Sequence, residues 1–194
     1  IGGALITTIL GGLYAREGGF VDNPHDRGGA TRYGVTEVVA HQWNYRGRMQ
    51  DFPKHCDAQH PVCADRIYTV TYIERPGYMP FAAMEPAVLD ELVDSGVLHG
   101  PARGSKWLQQ SLNELCGSRI AVDGQVGAGT VAAYRTCQVN MGKVSLCMRM
   151  LGSMDAKQEQ FFRAIVARNP SQGVFLKGWL AHRIGNVPRS KCVP

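Results

Sequence analysis

The segment R-E-G-G-F-V-D-N-P-H-D-R-G-G-A-T-R-Y-G-V-T, Arg16 to Thr36, separates the first helical pattern of the chain from everything after it. Upstream, Leu5, Ile6, Ile9, Leu10, Leu13 and Tyr14 recur at helical spacing, which predicts an amphipathic helix over residues ~4–17. Glu17 falls four residues after Leu13, at the end of that apolar stripe. Gly18 and Gly19 supply the residues that commonly stop a helix. Asn23-Pro24, Asp26, Gly28-Gly29 and Gly34 are turn formers, so residues 20–36 read as a loop or small hairpin. A carboxylate on an apolar helix end is partly desolvated, which favours its protonated form. That is the property of a general acid.

Working outward, helical patterns follow one another. Thr36-Glu37 opens a second helix through Val38, Val39 and Trp43, and residues 46–61 read as an exposed connection. Val62 to Ile73 is helical, ended by Arg75-Pro76-Gly77. Pro86 stands in the first turn of a helix that carries Val88, Leu89, Leu92 and Val93 inward. Ser95-Gly96 and His99-Gly100-Pro101 close it and mark the expected boundary between two halves. A helix from Arg103 to Cys116 comes next, then a tight loop from Ile120 in which Thr130 is expected to cap the following helix. Residues 143–168 form a long helix that Gly152 is expected to kink or break, and a last helix holds Phe175, Leu176, Trp179, Leu180 and Ile184. The expected class is mainly α, with at most a small β-hairpin or loop after the first helix.

Length and composition narrow the function. At 194 residues, with 44% hydrophobic and 19% charged residues, the chain can bury a core and is not broadly disordered. A net charge of +5 suits an anionic partner such as nucleic acid, a membrane surface or bacterial wall. Nucleic acid is disfavoured, because no run of Lys and Arg is interleaved with aromatics. The uncharged run Ile1 to Leu13 is too short to span a bilayer, and nothing else looks transmembrane. The chain lacks an initiator Met and opens mid-pattern, so it is expected to be a piece of a longer protein.

Six cysteines permit three disulfides in fifteen connectivities. Cys56 with Cys63 would close a short loop and Cys137 with Cys147 would tie two helix ends, leaving Cys116 for Cys192; six reduced thiols in a cytosolic protein are the alternative. His55, Cys56, Asp57, His60 and Cys63 are zinc-ligand types without a standard zinc spacing, and a disulfide accounts for the cysteines as simply. No HExxH helix, phosphate loop or dinucleotide fingerprint occurs. No metal or organic cofactor is expected.

Glycoside hydrolysis needs a proton donor and commonly a second carboxylate. Glu17 in an apolar setting and Asp26 in a polar loop fit that division, and Thr31 could orient a water beside Asp26. The plain alternative is a solvated helix end and an ordinary turn residue. Tyr33, Tyr72 and Tyr78 are candidates for stacking on sugar rings or for the core, whereas Trp107 and Trp179 sit on apolar stripes and read as core. Asp123-Gly124 reads as a wall contact or a structural turn.

Residues 17–36 resemble the signature of glycoside hydrolase family 108, lysozyme-like N-acetylmuramidases of phages and bacteria that cut peptidoglycan. The likeness continues in Ala64-Asp65-Arg66-Ile67-Tyr68 through Tyr72, in Leu89-Asp90 to Ser95-Gly96, and in Lys177-Gly178-Trp179-Leu180 with Arg183. Trp107-Leu108-Gln109-Gln110, Val122 to Gly127 and Thr130 resemble the peptidoglycan-binding half that usually follows. The sequence departs from the family at Tyr72-Ile73, where Tyr-Trp is common, and at Asp94, where Asn is common; both positions are expected to line the glycan groove.

The resemblance implies a lysozyme-like helical fold, with a catalytic half over 1–100 and a helical peptidoglycan-binding half over 101–194, packed as one compact unit. It implies a muramidase cleaving the β-1,4 bond between N-acetylmuramic acid and N-acetylglucosamine, with Glu17 as the acid. Asp26 and Thr31 fall near the Glu, Asp, Thr arrangement of related phage lysozymes, and Asp22 is the alternative second carboxylate. Asp22, Tyr33, Tyr72, Tyr78 and Asp94 are the expected substrate contacts. The expected partner is the glycan strand of bacterial peptidoglycan, met by a monomer in the periplasm, the cell envelope or outside the cell, without stable membrane insertion. Endolysin, autolysin and secreted antibacterial effector are all compatible settings, the last implying an immunity or inhibitor protein. The rivals are a non-catalytic wall-binding module and a stem-peptide amidase or peptidase.

Overall fold

The computed structural model describes residues 2–17, 19–22 and 29–193, giving the backbone alone at 2–4, 13 and 15–17. It divides into two compact units, Ile1–Arg75 and Pro76–Pro194. Among the described residues the chain is mainly α, with one two-stranded antiparallel hairpin.

In the first unit, helix α1 (Gly2–Glu17) buries Ile9, Leu10 and Tyr14, part of the stripe expected from spacing. Strands β1 (Thr31–Arg32) and β2 (Val35–Thr36) pair with Thr31 opposite Thr36 and Arg32 opposite Val35. Thr36 then caps helix α2 (Glu37–Gln42), its hydroxyl accepting from the Val39 N–H at 3.3 Å. Helix α3 (Ala64–Thr69) packs on α1 and continues into a π-helical turn, Val70–Glu74. Apolar side chains from these elements, including Val35, Phe52, Ile67 and Ile73, are buried.

The second unit comprises α4 (Phe81–Met84), α5 (Pro86–His99), α6 (Pro101–Cys116), α7 (Ala128–Met141), α8 (Lys143–Arg168) and α9 (Gly173–His182). Helix α8 touches α5, α6, α7 and α9, and buries Leu146, Met150, Leu151, Met154 and Phe162. Single glycines join α5 to α6 and α7 to α8: Gly100 and Gly142 both have φ of 84°. An L side chain rarely adopts that conformation, so one residue can reverse the chain only if it is Gly.

Several expectations are corrected. Helix α8 runs through Gly152 without a break. A Cβ there would meet the Arg189 guanidinium at 2.8 Å, so the glycine admits a crossing side chain. Thr130 is not a cap: Gly127 precedes α7, and the buried Thr130 hydroxyl accepts from Gln109 Nε2 at 3.3 Å. The Cys56–Cys63 bridge is present, but the others are Cys116–Cys137 and Cys147–Cys192. The C-terminal 3-10 turn Arg189–Cys192 lies against α8 and brings Cys192 to Cys147, which a local pairing of Cys137 with Cys147 overlooks. Helix α5 packs against α6 and α8, which groups residues 76–100 with the helices that follow them.

Candidate active site

The end of α1 and the hairpin after it carry most of the predicted site. Glu17 is the last residue of α1; its side chain and all of Asp26 lie outside the described residues. Val21 and Thr31, on either side of Asp26 in the chain, exchange backbone hydrogen bonds of 2.8 and 2.7 Å. That pairing sets Thr31 beside Val21 and leaves Asp22, the next residue after Val21, exposed. The hairpin turns on Tyr33 and Gly34, with φ of 52° and 73°, the pair of positive values that defines a tight type I′ turn. Gly34 adopts this freely, whereas Tyr33 bears a cost of order 1 kcal/mol, the kind of strain that clusters at functional sites.

Tyr33 begins a ladder of rings. Its ring meets Tyr14 edge-on at 6.0 Å, Tyr14 meets Tyr68 at 5.6 Å, and Tyr68 stacks on Tyr72 at 5.5 Å. Tyr72 lies in the π-helical turn after α3, a type of irregularity frequent at functional sites. The fold thus links two predicted sugar-stacking residues, Tyr33 and Tyr72, through two tyrosines anchored in the core.

Tyr14 is fixed at both ends. Its hydroxyl donates to Asp65 Oδ1 at 2.7 Å, and Lys54 Nζ lies 4.9 Å over its ring. Burial, then the Asp65 contact, pushes the phenol far above its ordinary range, so it remains a hydrogen-bond donor. Asp65 Oδ2 faces His55 Nδ1 at 2.7 Å. A groove of about 720 Å³ lies beside this pair, lined by His55, the Cys56 end of the disulfide, Asp65, Arg66 and Glu74. His60 is engaged with Asp57 at 2.9 Å, and no group of three metal-ligating side chains is assembled among the described residues.

Two predicted contacts belong to the interior of the second unit instead. Tyr78 is 0% exposed; its hydroxyl donates to Pro101 O and pairs with Ser105 Oγ, both at 2.8 Å, and burial raises it to about 12. It has no open face for a sugar. Asp94 is buried, accepting from Asn186 Nδ2 at 2.7 Å and facing Arg183 Nη1 at 3.6 Å. Its carboxylate organises the fold where Asn was expected to line a groove. Asp123 is held by Gln109 Nε2 at 2.8 Å and by the Gln125 N–H at 2.9 Å, so Asp123-Gly124 is a structural turn.

With this geometry in hand, residues 10–100 match the Glycosyl hydrolase 108 family and residues 103–184 match the Predicted Peptidoglycan domain. Two successive segments of the chain thus match two different family models, the first of them a glycosyl hydrolase family. The solved structure of SagA from Brucella abortus is 25% identical, with a TM-score of 0.64, over 98% of this chain and 94% of that one. Comparison with curated proteins finds no match. The two segments support a protein that acts on peptidoglycan, with a glycoside hydrolase as its first part.

Within residues 10–100, sequence reasoning gave Tyr14, Asp65 and Tyr68 no part in the site and weighed His55 only as a zinc-ligand type. A signal was present: Tyr14 stands one helical turn before Glu17, and Asp65, Tyr68 and Tyr72 are spaced three and four apart, on one side of a helix. That Asp65 receives both Tyr14 and His55 is a tertiary fact no spacing contains.

Proposed function

We propose that the protein is a muramidase that hydrolyses the β-1,4 bond between N-acetylmuramic acid and N-acetylglucosamine, with Glu17 as the general acid. The observation carrying this reading is the position of Glu17 as the closing residue of α1, one turn after the anchored Tyr14 and shortly before Val21, which pairs with Thr31. Glu17 delivers its proton to the glycosidic oxygen as the bond to the leaving sugar breaks. A loop carboxylate, Asp26 or in its place Asp22, activates water or stabilises the sugar cation, and Thr31 orients that water. Tyr33 and Tyr72 offer ring faces to the glycan. The three disulfides fit work in the oxidising periplasm, the cell envelope or outside the cell.

Glu17→Gln tests the assignment, because it preserves shape and removes the acid. Release of soluble fragments from purified peptidoglycan is expected to fall at least about a hundredfold, with an unchanged circular dichroism spectrum. Clearance at the parent rate would sink the assignment. Mass spectrometry of the products is expected to show new reducing sugar ends; free stem peptides would mean an amidase.

A further inference from the structure

Helix α9 is unlike the other long helices of its unit, because none of its ten residues is buried. Among its contacts with α8 is a ring stack: Trp179 lies on the buried Phe162, with centroids 5.0 Å apart and planes 20° from parallel. Phe175 stacks on Trp179 at 5.9 Å and remains 52% exposed, and Val174 next to it in the sequence is 79% exposed. Gly178, one turn after Val174, has nothing within 4 Å of where a Cβ would stand. The outward side of α9 is therefore apolar and open.

Its electrostatic surroundings are one-sided. From Gln160 to the end, the sequence contains Arg163, Arg168, Lys177, Arg183, Arg189 and Lys191, and no Asp or Glu. Arg163, Arg183 and Lys191 are turned to Glu159, Asp94 and Asp90. Arg168, just before α9, and Lys177, within it, have no carboxylate partner among the described residues, and both are exposed. Exposed Val and Phe, with the exposed cations Arg168 and Lys177 near them in the sequence, combine apolar side chains with charges that an anionic membrane surface attracts.

We propose that α9 docks the protein peripherally on an anionic lipid bilayer, with Val174 and Phe175 entering the acyl boundary and Lys177 and Arg168 meeting lipid phosphates. The other occupants fit less well. A glycan would stack on Phe175 but gains nothing from an aliphatic Val174. A second copy needs about 800 Å² per partner for a stable interface, more than one short helix face provides. A ten-residue helix is about 15 Å long, which suits lying in the interface and not crossing it. The inference is independent of the muramidase reading, because bilayer binding requires no catalysis.

The test is co-sedimentation of the full chain with vesicles of phosphatidylglycerol and phosphatidylcholine, against vesicles of phosphatidylcholine alone. Binding is expected to the anionic vesicles only and to weaken as salt rises. Val174→Ser with Phe175→Ser should weaken it about tenfold or more, and Lys177→Glu should weaken it less. Val174→Trp should strengthen it, which keeps the test informative if the double variant folds poorly. Equal vesicle binding by parent and double variant would overturn the proposal. So would a loss confined to lipid-free peptidoglycan, which makes α9 a glycan contact, or a dimer in gel filtration that the double variant disperses.

Discussion

Asp65 serves two partners at once, and the balance of its contacts shows what a single side chain contributes to the candidate site. One oxygen takes the Tyr14 hydroxyl and the other faces His55, each at 2.7 Å. A hydrogen bond to a charged group is worth about 1.5–3 kcal/mol when buried. The Asp65 side chain is 30% exposed, so solvent moderates that value. Tyr14→Phe, which keeps the ring contacts with Tyr33 and Tyr68, is therefore expected to lower stability by about 1–2 kcal/mol, read from the urea midpoint. Loss of hydrolysis beyond what that destabilisation explains would make Tyr14 a positioning residue for Glu17. The residue scale is also where sequence reading was least complete. Tyr14 was visible as an apolar-stripe residue, but its hydroxyl partner lies 51 positions away and no local pattern encodes it. Tyr78 stood open between sugar stacking and core for the converse reason: only packing decides that it is buried.

Between elements, the seam of α5 and α8 holds ionisable groups that should make stability depend on pH. Glu91 of α5 is 1% exposed; burial, followed by the nearby Asp155 carboxylate, raises it to about 8, although Ser95 donates to it at 3.0 Å. Burial raises Asp155 of α8 as well, while the Gly185 N–H opposes that rise from 2.8 Å. Between the ordinary glutamate range and pH 8 the folded state holds more protons at Glu91 than the unfolded chain, so stability falls as pH rises. His99, lowered to about 4 chiefly by burial, acts oppositely: the unfolded chain takes the proton near 6.5, so stability rises with pH up to there. Above 6.5 the histidine contribution is complete and the Glu91 term remains, at most about 1.4 kcal/mol per pH unit. Urea midpoints are expected to fall from pH 6.5 to 8 in the parent and to fall less in Glu91→Gln. The helices of this seam were legible from their apolar spacing. The identity of the buried carboxylates was not, since burial of Glu91 and Asp94 reverses the usual preference of acids for the surface.

Across the whole molecule, three covalent ties restrain chain segments of very different length. The bridges span 7, 21 and 45 positions, the first in one unit and the other two in the second. Loop-closure entropy makes the longest the most valuable, with losses of about 4, 3 and 2 kcal/mol for Ser pairs at Cys147/Cys192, Cys116/Cys137 and Cys56/Cys63. Thermal unfolding of the three double variants should follow that order; a reversed order would mean native-state contacts outweigh chain entropy. The sequence by itself determined the helical class, a loop or small hairpin after the first helix, the opening of a second helix at Thr36-Glu37 and Glu17 as the closing residue of that first helix. These follow from turn residues and periodicities that operate within a few positions. Only the tertiary structure decided two of the disulfide pairings, the burial of Tyr78 and Asp94, the passage of α8 past Gly152, and the joining of Tyr14 to Asp65. Each depends on segments tens of residues apart meeting in space, and that meeting is selected by the combined burial of many side chains, which no short stretch of sequence specifies.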